Sequence, residues 1–300
     1  MYFIPQKDQP DVLAYLHQLV KGLEIWLKVG GVEHRLNPFV EGDPPKGLQP
    51  HQDAGFIRLD ATLGDFKHTQ EYLEGILQGA LNDVNVDLEA MLTDTGRERL
   101  VLASGGVPRD YLNLAAASLR RSTKRDDAPN RPRNRVNAED VNEVAPDFLE
   151  QKEQELALDA DPGDVERLRD RFNDVVTFCV NENRRNVFLV EATKLRETEW
   201  GRDIAALKEL RFIHNVANLT VKSGSPRYTG RRYEAFVLDI SAYAGSRVRK
   251  IEMIDFWTSE GKQKIRGARF IYRPEEDGAR APHEAESTAE AEQLTFELVE

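Results

Sequence analysis

Three hundred residues with 40% hydrophobic content provide for roughly two folded domains. One cysteine, Cys179, excludes an internal disulfide and suits a reducing, cytoplasmic setting; no apolar run approaches the roughly 20 residues of a membrane span, and Met1–Pro10 carries no secretory-signal pattern. The net charge of −11 does not exclude nucleic acid, because Pro274–Glu300 holds nine acidic residues against one arginine and so accounts for most of it.

Apolar positions 12, 13, 16, 19 and 20 behind Pro10 predict a helix over 10–21, ended by Gly22. Glu24–Val29, closed by Gly30 and Gly31, reads as a short buried strand. A proline-rich loop spans Asn37–Gln52, Phe56–Leu59 reads as a second strand, and Leu63–Leu81 as a long helix. Helix, strand, loop, strand, helix is the later half of an α/β unit, so residues 1–82 read as an incomplete α/β core.

From Leu88 to Phe148 the pattern is helical. One or two helices cover Leu88–Ala103 and break at Ser104-Gly105-Gly106; others cover Pro108–Arg121 and Asn137–Val144, the last opened by an approximate capping box of Asn137 and Asp140. Arg120–Arg135, with seven basic and two acidic residues, is expected to be a mobile, solvated loop. Residues 83–158 thus form an all-α domain.

Asp161-Pro162-Gly163 marks the next boundary. Val165–Val180 is helical, with Val165, Leu168, Phe172, Val175, Val176 and Cys179 as its core positions, and Val187–Glu191 and Trp200–Leu210 are grouped with it as helical elements. Phe212–Val221 and Tyr233–Ile240 alternate as two strands around a long turn. Three helical elements before a two-stranded ribbon is the plan of a winged helix, an α+β domain over 159–272. Ile251–Trp257 is expected to be a terminal helix, Ala268–Tyr272 a short strand, and 273–300 an acidic tail, disordered or weakly helical.

Neither thiol nor imidazole chemistry stands out. Cys179 has no histidine or lysine near it in sequence and reads as a buried inert thiol. The histidines at 17, 34, 51, 68, 214 and 283 lack metal-ligand spacing, and no Ser–His–Asp pattern marks an unrelated enzyme.

The most specific string is Leu102-Ala-Ser-Gly-Gly-Val-Pro-Arg-Asp-Tyr-Leu-Asn-Leu114. It resembles the sensor-2 segment of AAA+ ATPases of the origin-recognition type and of related bacterial P-loop ATPases. Glu139-Asp-Val-Asn-Glu-Val144 resembles the last lid helix of that family, Phe56–Leu63 and Tyr72–Leu77 its final core strand and first lid helix, and Arg231–Ser241 its second wing strand. The resemblance covers roughly residues 1–245. It implies that Arg109, entered through Gly105 and Gly106, reaches a nucleotide γ-phosphate, a role that suits a bidentate guanidinium. It places Arg35 where an arginine finger would lie. It sets Glu24–Val29 as the sensor-1 strand, with Lys28 where Asn, Thr or Ser is usual.

The phosphate-binding Gly-x-x-x-x-Gly-Lys-Ser/Thr and the acidic strand end that holds Mg²⁺ are absent. The resemblance therefore implies ATP and Mg²⁺ only in a longer or partner-completed context, with no hydrolysis by this polypeptide alone. A truncated product, a late-start reading frame and half of a split protein all fit.

Two partner classes stay open. As a lid and winged helix, the chain would regulate nucleotide bound elsewhere. As a stand-alone module, it would contact DNA through Lys222, Arg227, Arg231 and Arg232 on the wing and through Arg202 and Lys208 on the Trp200–Leu210 helix. Glu199, Asp203 and Glu209 beside that helix make a protein partner equally suitable. No membrane partner is expected.

Overall fold

The computed structural model describes residues 3–31, 36–57, 59, 61–126, 135–159, 162–221, 230–244 and 251–274. It separates between Asp60 and Ala61 into two compact units. Across the described residues the fold is mixed α and β, predominantly helical with small sheets.

The described residues of the first unit hold one helix, α1 (Gln9–Val20), and a two-stranded antiparallel ribbon, β1 (Phe39–Val40) and β2 (Lys46–Gly47). Pro10 sits in the first turn of α1, where a missing N–H costs no helical bond. The buried Gln9 amide joins two loops: its Nε2 donates to Ile4 O at 2.9 Å, and its Oε1 accepts from Asn37 N at 2.8 Å. Pro10, Leu13 and Leu48 are this unit's buried apolar side chains among the described residues.

Neither strand expected here forms. Glu24–Val29 runs without regular structure, and Trp26 is 90% exposed. The described residues of Phe56–Leu59 are likewise irregular, with Ile57 85% exposed. An apolar β-favouring run becomes a strand only where a neighbour satisfies its backbone, and no described residue pairs with either segment.

The second unit opens with a 3-10 turn at Leu63–Asp65 and five helices: α2 (Phe66–Asn82), α3 (Leu88–Met91), α4 (Asp94–Ser104), α5 (Pro108–Asp126) and α6 (Ala138–Asp159). The start of α6 is a reciprocal cap. Asn137 Oδ1 accepts from the amides of Glu139 and Asp140, and Asp140 Oδ2 accepts from Asn137 N at 2.9 Å. The helix then runs well beyond the expected Val144. Part of Arg120–Arg135 is helical as the end of α5, and 127–134 lie outside the described residues.

A three-stranded antiparallel sheet comes next, threaded through helices in the order α7 (Pro162–Val176), β3 (Val187–Glu191), α8 (Ala192–Glu197), α9 (Glu199–Glu209), β4 (Ile213–Thr220) and β5 (Arg232–Leu238). The central strand is β5, between β3 and β4. Val187–Glu191, expected to be helical, is thus a strand. Its first four side chains are all buried, so the run shows no alternation and imitates a buried helix turn. One core runs continuously from Leu63 through the sheet to Tyr272.

Ile251–Trp257 is not the expected helix. It lies beside the segment that leads into β3, where Glu252 N donates to Arg184 O at 2.8 Å and Ile254 N to Asn186 Oδ1 at 2.9 Å. The helix comes afterwards, as α10 (Ser259–Lys264). The short strand expected at Ala268–Tyr272 is a 3-10 turn followed by one bridge to β3, with Tyr272 N donating to Leu189 O at 2.8 Å. Residues 275–300, most of the expected tail, lie outside the described residues.

Three helices of this unit share one start. Thr93, Thr198 and Thr258 each accept, through Oγ1, the amide of a glycine three residues on: Gly96, Gly201 and Gly261. At each glycine a Cβ would lie 2.0 to 2.4 Å from a backbone oxygen, that of Val136, Lys194 and Asp255 respectively. Each helix therefore begins pressed against a neighbouring chain segment that a side chain would displace.

Candidate functional site

The Ser104-Gly105-Gly106 turn connects α4 to α5 and places Arg109 at the first turn of α5. Gly105 caps α4 with a φ of 59°, and Gly106 has a φ of 89°, both left-handed. A Cβ on Gly105 would be 2.3 Å from the His214 ring, and one on Gly106 would be 2.4 Å from Ala61 O. The turn's amides are used inside it: Gly105 N donates to Leu102 O and Gly106 N to Ser104 Oγ, both at 3.3 Å. Packing and turn geometry thus account for both glycines, and their amides are not turned toward an anion. Arg109 is 60% exposed, with Nε 3.0 Å from Asp110 Oδ1. Asp110 also lies 4.0 Å from Arg211 Nη1.

Beneath the turn is a buried polar junction that sequence spacing gave no means of finding. Asp239, at the end of β5, accepts from Lys152 Nζ at 2.5 Å, from His214 Nε2 at 2.8 Å and from Ser241 N at 3.0 Å, with the Ser241 hydroxyl as a further donor. Lys152 also donates to Arg211 O at 3.1 Å. The junction ties α6, β4 and β5 together. Burial works to raise the Asp239 pKa, but the Lys152 charge and the His214 hydrogen bond overcome it and hold the carboxylate below its usual range.

Of the expected DNA-contacting residues, Arg202 and Lys208 are exposed on α9, and Arg231 and Arg232 are exposed at the start of β5. Lys208 pairs with Glu209 at 3.0 Å. Arg231 Nη1 lies 2.9 Å from Glu191 Oε2 and is 49% exposed. Burial tends to raise the Glu191 pKa; hydrogen bonds from Arg231 and Thr193 outweigh it and lower the value. Arg35, Lys222 and Arg227 lie outside the described residues. Lys28, expected near the end of a sensor-1 strand, sits in a segment that is not a strand.

One expected charge is absent from the surface of α9. Asp203 is buried and faces α7, 2.5 Å from Arg167 Nη1 and 3.6 Å from Arg171 Nε. Arg167 also holds Asp164 at 2.7 Å, and Arg171 meets Tyr272 Oη at 3.1 Å. The exposed side of α9 therefore has Arg202 and Lys208 against Glu199 and Glu209. Arg202 is followed at helical spacing by the partly buried Ala205, Ala206 and Glu209.

Cys179 is buried in a π turn, Thr177–Glu182, that continues α7. Among the described residues no three His, Cys, Asp or Glu side chains group as a metal site, and no helix is long and apolar enough to cross a membrane. No protein-family model, no curated protein and no solved structure matches this chain.

Proposed function

We propose that residues 162–272 act as a winged-helix module that binds duplex DNA through the connection between β4 and β5. The order helix, strand, helix, helix, strand, strand, with the last strand central, supports the winged-helix reading. The observation that carries DNA binding is the charge of that connection. Lys222–Arg232 contains four cations and no acidic residue, in a chain whose net charge is −11. Such a segment, joining two paired strands, suits backbone phosphate, which positions a protein without reading sequence. The inward turn of Asp203 favours DNA over a basic protein partner, since it removes one acid from the face of α9.

Reversing two charges, Arg231→Glu with Arg232→Glu, is expected to weaken binding to a mixed-sequence duplex by about tenfold or more and to flatten its salt dependence. Fluorescence anisotropy at several salt concentrations measures both. Unchanged affinity and slope would remove the connection from the interface.

A second reading rests on the exposure of Arg109 at the start of α5. We propose that 61–159 serves as the lid of an AAA+-type ATPase, offering this guanidinium to nucleotide held by another polypeptide. The groups around Arg109 do not themselves make a phosphate cradle, since both glycine amides are engaged and Asp110 stands beside the guanidinium. Arg109→Ala should keep the fold and weaken any nucleotide affinity measured calorimetrically in the completed assembly. Equal affinity in both forms takes Arg109 out of the site.

A further inference from the structure

The first unit leaves one β-favouring run without a neighbour. Leu23–Val29 contains neither proline nor glycine. Leu23, Ile25, Leu27 and Val29 are 38 to 57% exposed, and Trp26 is 90% exposed. The main-chain groups of Glu24, Trp26 and Lys28 have no hydrogen-bond partner among the described residues, whereas Leu23 N donates to Val20 O at 3.0 Å. Fully extended, the run has two faces: Leu23, Ile25, Leu27 and Val29 on one, Glu24, Trp26 and Lys28 on the other.

The run is also complementary to itself. Laid antiparallel on a second copy with Trp26 opposite Trp26, it sets Glu24 opposite Lys28 in both halves of the pair. Ile25 then faces Leu27, and Leu23 faces Val29, so the other face is apolar at every position. Glu24, Trp26 and Lys28 become the residues that exchange both main-chain bonds, and the Leu23 amide keeps its bond to Val20. Other arrangements lose the match. A slip of one residue sets the apolar face of one copy against the polar face of the other. Centring the pair on Ile25 puts Lys28 opposite Gly22, and centring it on Leu27 puts Glu24 opposite Gly30. Parallel pairing in register opposes like charges. Just ahead of the run, Tyr15 and Leu19 lie one turn apart on α1, 62% and 55% exposed, with apolar surface to cover such a ribbon.

We propose that Leu23–Val29 is a self-association surface whose partner is the same segment of a second copy, paired antiparallel about Trp26. The second copy supplies the backbone neighbour that the first unit lacks, and the exposed run becomes a strand. This goes beyond the DNA-binding reading and does not depend on it. Seven residues a side fall short of the roughly 20–30 of a standard stable interface, so the expected dissociation constant is on the order of 10 µM.

Sedimentation velocity on the full chain, from about 1 to about 300 µM, tests the pairing. The native chain should pass from monomer to dimer over that range. Glu24→Lys alone or Lys28→Glu alone should weaken association about tenfold, because each opposes like charges in both halves of the pair. Both side chains are exposed, so the fold should tolerate either change. An equimolar mixture of the two single variants should regain the native association, since every opposed charge in the mixed pair is again of opposite sign. A native chain that stays monomeric at the highest concentration overturns the proposal. Dimers that persist unchanged in both single variants put the contact on another surface and overturn it likewise. A mixture no more associated than its components overturns the antiparallel register about Trp26.

Discussion

Asp239→Ala is expected to lower the unfolding free energy by about 3–5 kcal/mol, the usual cost of stripping one partner from a buried charged pair. The carboxylate is fully buried and accepts from Lys152, His214 and both donors of Ser241. Its loss strands the Lys152 ammonium, whose side chain is 12% exposed, between α6 and the sheet. Urea unfolding at pH 7 measures the effect, and a loss below about 1 kcal/mol would show that the junction relaxes or hydrates at little cost.

The same residue sets an acid limb. The folded pKa of Asp239 is depressed, so its contribution is fully present above the unfolded value near 4 and disappears as pH falls through the folded value. Stability of the native chain should decline from about pH 5 downward, and the Asp239→Asn variant should decline less steeply. Parallel slopes in the two proteins would assign the acid sensitivity to other carboxylates.

Gly201→Ala is the second large effect. A Cβ there would lie 2.0 Å from Lys194 O and 2.7 Å from Leu195 Cα, both backbone atoms, so α8 and α9 must move apart. The expected loss is about 3 kcal/mol, at the upper end of ordinary overpacking. The controls run the other way. Gly75 and Gly79 sit inside α2 with nothing within 4 Å of an added Cβ. Alanine at each should stabilise by roughly 0.5–1 kcal/mol through helix propensity alone. Thermal melting of the three single variants distinguishes contact from propensity. A Gly201→Ala protein that melts with the native chain would contradict the close crossing of α8 and α9.

Local chemistry is legible in the sequence and long-range partnership is not. The Asn137–Asp140 cap, the break at Ser104-Gly105-Gly106 and the helix behind Pro10 are written in neighbouring residues and occur where expected. The recurrent Thr-x-x-Gly helix starts are just as local, yet their common role emerges only from the close crossings at each glycine. Errors arise where burial or pairing decides. Glu24–Val29 has strand composition but exposes Trp26, and Val187–Glu191 lacks alternation because both its faces are covered. Ile251–Trp257 has helix-like spacing but runs beside the chain that enters β3, held by Asn186, which is 68 residues from Ile254.

The candidate sites divide in the same way. The cations of the β4–β5 connection can be counted along the chain, whereas the junction depends on Lys152 and Asp239, 87 residues apart. No spacing rule joins them. Asp203 shows the converse: its charge is evident in the sequence, but only the fold shows that Arg167 and Arg171 absorb it.

The coverage of the sheet has a consequence for self-association. A three-stranded sheet has two borders, and each normally offers unpaired main-chain groups to any passing strand. Here Tyr272 donates to Leu189 of β3 and Glu252 to Arg184 just ahead of it, and the 3-10 turn at Leu63–Asp65 packs beside β4, where a Cβ on Gly64 would lie 3.7 Å from Asn215 O. The β-bulge between Asn215 and Ala217 further interrupts that second border. Strand addition, whether by a second copy or by an extended peptide, is thereby obstructed along β3 and along the Asn215 end of β4. The sheet is built to stop growing along these stretches.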